Sequence, residues 1–477
     1  MKKRHIAFAI TLSLISLLSF PATVAYEGLF SSPVFDESYF GALSPMVKKL
    51  EETKGKKMVI IGNSSVAFGI RSALLQQELN HSDIDYSIVN FGLYGSIGTK
   101  TMMDLSRKRI HEGDIVIFSP ELMEGTLSTY FSGESYLRAC DGHLDLLWET
   151  PEEEREKVVG SFYDFAASKA SYQQKGMKAD SKDVYMLSSF DENLDLTLYE
   201  RKNNIMESGY DRNNTIDFSS LTFSKEFTSL VLSYVQYVQN QKAEIYFAFG
   251  PMNEKCVLNA SQENLVRFRD MIQEQWKMKV INSPYDSILD YRYFYDTNFH
   301  LNDTGMLYHT LKWAEMLKNH FGKNDPLSQD YPEPPSSDPH EEGEGDNQDL
   351  DCFEYTLEGD LYRISGLTEK GKERKEILLP YSYEDKRIYT FDASVFQGNP
   401  NIEKITLQEN ITFLYDYCFS SSNISSIYLR QEDPKKTVVG YHLLDGSKAS
   451  IFVKEGSFNA YLSNYTWSFY GKSIQSY

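Results

Sequence analysis

Short apolar runs, continuous rather than alternating, recur along the first 281 residues of this chain, and helix-spaced segments separate them. The runs lie within 57–61, 85–92, 114–120, 243–251 and 278–281. A strand covered by helices on both faces has no polar side to show, so it reads as an apolar stretch without period. Strand alternating with helix in this way specifies an α/β fold on a parallel, doubly wound sheet. The intervening spacing predicts helices over 45–52, 68–79, 96–110, 225–240, 261–276 and 303–321. The stretch 125–222 breaks the rhythm. Thr150-Pro151-Glu152-Glu153-Glu154 supplies a cap, a first-turn proline and acids at the positive end of a helix reaching about 175. The remainder is polar and aromatic without period, and reads as an insertion over the carboxyl edge of the sheet.

At the amino end, Met1-Lys2-Lys3-Arg4, an apolar run over 6–20 and Pro21-Ala22-Thr23-Val24-Ala25 read as a secretory signal over 1–25. An uncleaved anchor is the alternative, although the run is short for a full span. The expected address is therefore secreted or cell-surface. A net charge of −20 excludes nucleic acid and anionic membrane surfaces as partners. Cys140, Cys256, Cys352 and Cys418 have no CxxC spacing, so neither a structural zinc nor any other metal is expected. Either one bridge per domain (Cys140–Cys256 and Cys352–Cys418) or free buried thiols would suit them. The segment 323–351 carries five prolines and ten acids against one lysine. Such a composition buries no core and reads as a solvated linker between units that fold independently. Beyond it, Phe396, Ile402, Ile405 and Leu407 recur as Phe419, Ile424, Ile427 and Leu429, and Ile388 and Phe391 as Ile411 and Leu414. That period, with one short strand per unit, marks a β-rich leucine-rich-repeat solenoid over 352–477. A strand at Ser450–Val453 and the aromatics Tyr461, Tyr465, Trp467 and Tyr470 would cap it.

Chemistry concentrates where the runs end. Met58 to Ile61 passes into Gly62-Asn63-Ser64-Ser65, which puts a serine at the carboxyl end of a buried strand, where open α/β sheets bind their ligands. The plain alternative is a serine that only caps the next helix. A serine nucleophile needs a base, and the base needs an acid to orient it. His300, in Asp296-Thr297-Asn298-Phe299-His300-Leu301-Asn302, falls between the fifth run and the last helix, and so at the same edge. Asp296 is near enough to reach its ring. The remaining histidines past the signal are scattered, without metal-ligand spacing.

Gly62-Asn63-Ser64, Asn90-Phe91-Gly92 and Asp296…His300-Leu301-Asn302 resemble the first, second and fifth blocks of the SGNH (GDSL-like) hydrolases, over roughly residues 50–321. The flavour is that of cell-envelope members related to lipoteichoic-acid D-alanylation and alginate O-acetylation proteins. The resemblance implies a three-layer α/β/α, flavodoxin-like sandwich over 26–322. It also implies Ser64 as nucleophile, His300 as base, Asp296 as acid, and the N–H groups of Ser64 and Gly92 in the oxyanion hole. Asn63, Asn90 and Glu121 become candidate substrate contacts, and no cofactor is implied. Two positions depart from the pattern. The family's acid lies three residues before the histidine, where this chain has Thr297, so Asp286 and Asp290 are alternatives to Asp296. The third run ends in Ser119-Pro120-Glu121-Leu122 and lacks the Gly-x-Asn-Asp block, and a glutamate is a poor oxyanion donor unless protonated. The segment 352–477 resembles BspA-type leucine-rich-repeat domains, which implies a protein- or carbohydrate-binding solenoid. Together these imply an esterase or O-acyltransferase acting on acylated envelope or extracellular glycans. The alternative is a non-catalytic surface adhesin whose sandwich is degenerate.

Overall fold

The computed structural model describes residues 21–477 apart from 94, 180–183, 198–200, 202–204, 207–208, 336–346, 359–360, 385 and 465. Most of the expected signal, much of the linker's acidic half and Tyr465 thus lie outside the described residues.

Strands β1 (Lys57–Gly62), β2 (Ser87–Gly92), β3 (Ile115–Ser119), β4 (Glu244–Phe247) and β5 (Lys279–Val280) form one parallel sheet in the order β2-β1-β3-β4-β5. The helices that bear on it are α1 (Leu43–Glu52), α2 (Ser64–Gly69), α3 (Ser72–His81), α4 (Thr99–Arg107), α6 (Lys225–Asn240), α7 (Gln262–Trp276) and α8 (Asp303–His320), while α5 (Arg155–Gln174) belongs to the insertion. Alternate residues face opposite layers. Val59, Ile61, Val89, Phe91, Val116, Phe118 and Phe247 share a core with α1, α4, α6 and α7. Met58, Ile60, Ile88, Ile115 and Ile117 pack instead with α3 and α8. Two covered faces explain the continuous apolar runs. Gly62 pairs with both Gly92 and Ser119, so three strands end level. The winding reverses between β1 and β3, which makes that edge a topological switch point.

The helix expected over 68–79 is two helices. Ile70 is extended (φ −127°, ψ 126°), and the Arg71 N–H is taken by Thr310 Oγ1 at 2.9 Å. Asn90 Nδ2 collects the carbonyls of Val66 (3.2 Å) and Ile70 (3.0 Å), which stabilises the break from below. The helix expected from Thr150 begins as a 3-10 turn, Glu152–Glu154, before α5. A buried Lys169–Asp141 pair at 2.7 Å lies within the insertion, and Asp141 fixes the insertion to the lead-in by also accepting the N–H of Val34 at 2.8 Å.

In the carboxyl-terminal part, β6 (Glu376–Leu378), β7 (Lys404–Leu407), β8 (Ser426–Leu429), β9 (Ser450–Val453) and β10 (Ile474–Ser476) form a parallel ladder. Ile377, Ile405, Ile427, Ile451 and Ile474 are in register and point inward. Phe396 and Phe419 stack behind them, 6.5 Å apart at 19°.

The two units, expected to fold independently, share a core. Leu74, Leu289, Phe294, Leu301, Met306 and Leu311 of the sandwich belong to one core with Phe391, Leu414 and Tyr415 of the ladder unit. Arg71 Nη2 reaches Asp416 Oδ2 at 3.1 Å, and neither side chain is exposed at all (0%). Both ends of the linker are also tied down. Tyr293 OH donates to Pro332 O at 2.7 Å, Ser328 N donates to Glu78 at 3.0 Å, and Asp349 accepts from Leu378 N at 2.9 Å. Its composition was dominated by the acids between these anchors. All four cysteines are free and buried, so neither conceivable bridge forms. No helix among the described residues is long and apolar enough to cross a membrane.

Candidate active site

The turn after β1 is shaped by two glycines that leave room for Val66. A Cβ on Gly62 would lie 2.4 Å from Val66 Cγ2 and 2.3 Å from Ser119 O, and one on Gly92 would lie 2.5 Å from Val66 Cβ. Asn63 is therefore extended (φ −106°, ψ −155°), and Ser64 opens α2 at the level of the strand ends. The second half of the site is the loop before α8. Thr297 Oγ1 accepts the N–H groups of Phe299 (3.2 Å) and His300 (3.1 Å), Tyr295 N donates to His300 O at 2.8 Å, and Asn302 caps α8 by accepting from Gly305 N at 2.9 Å. Thr297 thus makes the turn that brings a residue four positions back under the ring. That is how Asp296, rather than the residue at the usual spacing, meets the histidine.

The structure brings Ser64, His300 and Asp296 together. His300 Nε2 lies 2.8 Å from Ser64 Oγ, and Nδ1 lies 2.8 Å from Asp296 Oδ1. Ser64 and His300 are each 6% exposed, whereas the Asp296 side chain, at 32%, reaches the rim. Phe68, one helical turn beyond Ser64, stacks on the imidazole with centroids 4.0 Å apart at 10°. Burial works against the Asp296 charge, but hydrogen bonds from His300 and Tyr185 outweigh it and hold the carboxyl below its ordinary value. An ionised Asp296 fixes Nδ1 as the N–H nitrogen and leaves the Nε2 lone pair facing serine. Asp290 is engaged by Arg292 at 2.9 and 2.6 Å, and Asp286 lies with Tyr285 and Ser287 in a concavity that contains no member of this trio.

Tyr185 was not expected. Its hydroxyl donates to Asp296 Oδ2 at 2.5 Å and stands 3.2 Å from His300 Nδ1. Burial, and then the neighbouring Asp296 charge, push its phenol far up, so it stays a donor. It comes from the insertion, where nothing in the sequence sets it apart from the chain's 33 tyrosines. Arg201, also from the insertion, donates to Phe68 O (3.0 Å), Leu301 O (3.3 Å) and Asp303 Oδ1 (3.0 Å), so it ties the serine helix to the histidine loop.

The other expected contacts divide. Asn90 is committed to the framework: both its donor contacts are to the carbonyls already described, and its Oδ1 accepts from Gly92 N at 3.2 Å. Gly92 enters through its missing side chain, since its N–H is thereby spent, and the N–H that faces the serine's surroundings is that of Ser65. Asn63 Oδ1 accepts from Thr99 Oγ1 at 3.1 Å and from Glu121 N at 3.4 Å. Glu121, 8% exposed, lies directly on the site: its Oε1 accepts from Ser65 N at 2.9 Å and is 3.0 Å from Ser64 Oγ. His309 donates from Nδ1 to Gly69 O at 2.8 Å, and burial pushes it down to about 4, so it stays neutral and structural. Among the described residues no group of three or more His, Cys, Asp or Glu could hold a metal ion.

No family model matches this chain, and no curated protein matches it either.

Proposed function

We propose that this protein is a serine esterase or O-acyltransferase of SGNH type that acts on acyl groups of envelope or extracellular glycans. The observation that carries the reading is the continuous run of short contacts Ser64–His300–Asp296 at the switch point of a parallel sheet. In this reading His300 Nε2 takes the Ser64 proton as Oγ attacks the ester carbonyl. Asp296, held by Tyr185, stabilises the imidazolium that forms. His300 returns the proton to the departing alkoxide, leaving an acyl-Ser64, and then activates water or a sugar hydroxyl to release it. The same three groups serve both acceptors, so hydrolysis and transfer share one site. The strand order β2-β1-β3-β4-β5 supports the flavodoxin-like sandwich. The in-register ladder with its offset of 22 residues between Ile405 and Ile427 supports the leucine-rich-repeat reading of 352–477. In the proposal an exported chain works at the cell surface, and its repeat unit binds a protein or carbohydrate.

A second reading, a binding protein with a silent sandwich, draws on Glu121, whose oxygen lies where an oxyanion would form. Acetyl release from small esters and acetylated glycans separates the two. The esterase reading expects turnover by the full chain and its loss, by a factor of at least about 10³, in Ser64→Ala. Turnover that survives in Ser64→Ala, or is absent on every ester, refutes it.

A further inference from the structure

Glu121 is not accounted for by that chemistry. One of its oxygens contacts both groups that an attacked ester needs, Ser64 Oγ at 3.0 Å and Ser65 N–H at 2.9 Å. Counting protons shows what this does. Ser64 has a single hydroxyl proton and two neighbours that want it, His300 Nε2 at 2.8 Å and Glu121 Oε1. If the proton goes to Glu121, Nε2 holds its contact with Oγ only by carrying a proton of its own. The imidazole then has no lone pair for the serine. If it goes to Nε2, a carboxylate oxygen and the serine oxygen face each other with no proton between them. With Glu121 as a carboxylate neither arrangement permits attack, because the negative charge of an oxyanion would have to form against an acceptor already holding Ser65 N–H.

The surroundings indicate that this place is built for something else. Asn63 Nδ2, Ser65 Oγ and Ser119 Oγ are buried without a hydrogen-bond partner among the described residues. A Cβ on Gly250 would lie 3.2 Å from Ser119 Oγ and 3.9 Å from Ser65 Oγ, so these two hydroxyls share one small polar space. Donor capacity beside the serine therefore exceeds what Glu121 uses. The Glu121 backbone is anchored: its carbonyl accepts from Thr126 Oγ1 at 2.6 Å and its N–H goes to Asn63 Oδ1. The anchored backbone leaves the side chain as the part that would move on release.

We propose that Glu121 is an internal latch. Resting on the serine-esterase reading above, it occupies the position of the acyl oxygen, holds Ser64 unreactive, and swings out when an ester carbonyl takes Ser65 N–H. The chain is then self-occluded at rest and opens by competition from substrate.

The test compares the full chain with Glu121→Ala, Glu121→Gln and His300→Ala by the rate at which a fluorophosphonate forms an adduct on Ser64, read by intact mass and peptide mapping. Both Glu121 variants should label about ten- to a hundredfold faster than the parent, the weight of the charge-assisted hydrogen bonds released. The near-isosteric glutamine answers the question should the alanine variant fold poorly. Equal or slower labelling in both, with parent adducts that form on Ser64 and require His300, overturns the latch and leaves the esterase reading standing. Acceleration in Glu121→Gln beside slower labelling in a folded Glu121→Ala would make position 121 a donor, and overturns the latch as well. Adducts absent throughout, or formed as fast without His300, overturn both.

Discussion

Removing the Asp416 carboxylate tests whether the two parts of the chain are one cooperative body. Asp416 meets Arg71 at 3.1 and 3.4 Å and also accepts the N–H of His442 at 3.0 Å, with both members of the ion pair fully buried. Asp416→Ala leaves a buried guanidinium whose next carboxylate, Asp191, is 3.9 Å away. Breaking such a pair by deleting one partner costs about 3–5 kcal/mol. Asp191 retains part of the interaction, which points to the lower end, about 3 kcal/mol. Unfolding entropy of about 2.1 cal/mol/K per residue gives roughly 0.95 kcal/mol/K for some 450 residues melting together, hence a Tm lower by about 3 °C. If the ladder unit of roughly 125 residues melted alone, the same loss would lower its transition by about 11 °C and leave the sandwich untouched. Calorimetry reads the difference directly. One transition displaced by a few degrees is expected, and Arg71→Met combined with Asp416→Leu should recover most of the loss. Two transitions, of which only one moves, would refute the shared core.

Asp296→Asn should lower kcat on a small acetyl ester by about 10³- to 10⁴-fold, close to the loss in His300→Ala, because Asp290 is engaged by Arg292. A loss below tenfold would make another acid the orienting group. Tyr185→Phe removes one hydrogen bond to a carboxylate and should cost about tenfold in kcat with KM little changed; a change in KM alone would place Tyr185 in substrate binding instead. His442 is raised to about 9, first by the Asp191 carboxylate 3.6 Å from Nε2, with burial opposing and Asp445 assisting. A group raised on folding gives its full stabilisation below its unfolded value, about 6.5, and loses it as pH rises through the folded one. Urea denaturation should therefore show the parent losing more stability than His442→Gln between pH 6 and 9.5, and equal losses would refute the assignment.

The sheet was legible because a strand buried on both faces has little freedom in composition: β2 to β5 each fall within one of the apolar runs, and β1 exceeds its run only by Gly62. Ser64 and His300 were legible for a related reason, since each follows a run and precedes a helix. The break at Ile70 was not, because its causes, Thr310 Oγ1 and Asn90 Nδ2, come from elsewhere in the chain. Tyr185 and Arg201 were hidden in a segment whose aromatics and charges have no period, so only the folded position distinguishes them. The acidic linker misled. Its charge density is real, but Leu327, Ser328 and Tyr331 at its start pack on the sandwich, and a local composition carries no record of what lies opposite.

Four thiols that are buried and unjoined leave the chain topologically a simple thread. Nothing covalent closes a loop, so a motor pulling on either end meets only non-covalent resistance and can draw the whole molecule through a passage one strand wide. The fold can also be remade afterwards in the presence of a strong reductant, with no oxidant or isomerase to wait for. No disulfide has to form as the chain folds, and a slow step would be registering a ladder unit against a sandwich whose contacting residues, Arg71 and Asp416, are 345 positions apart.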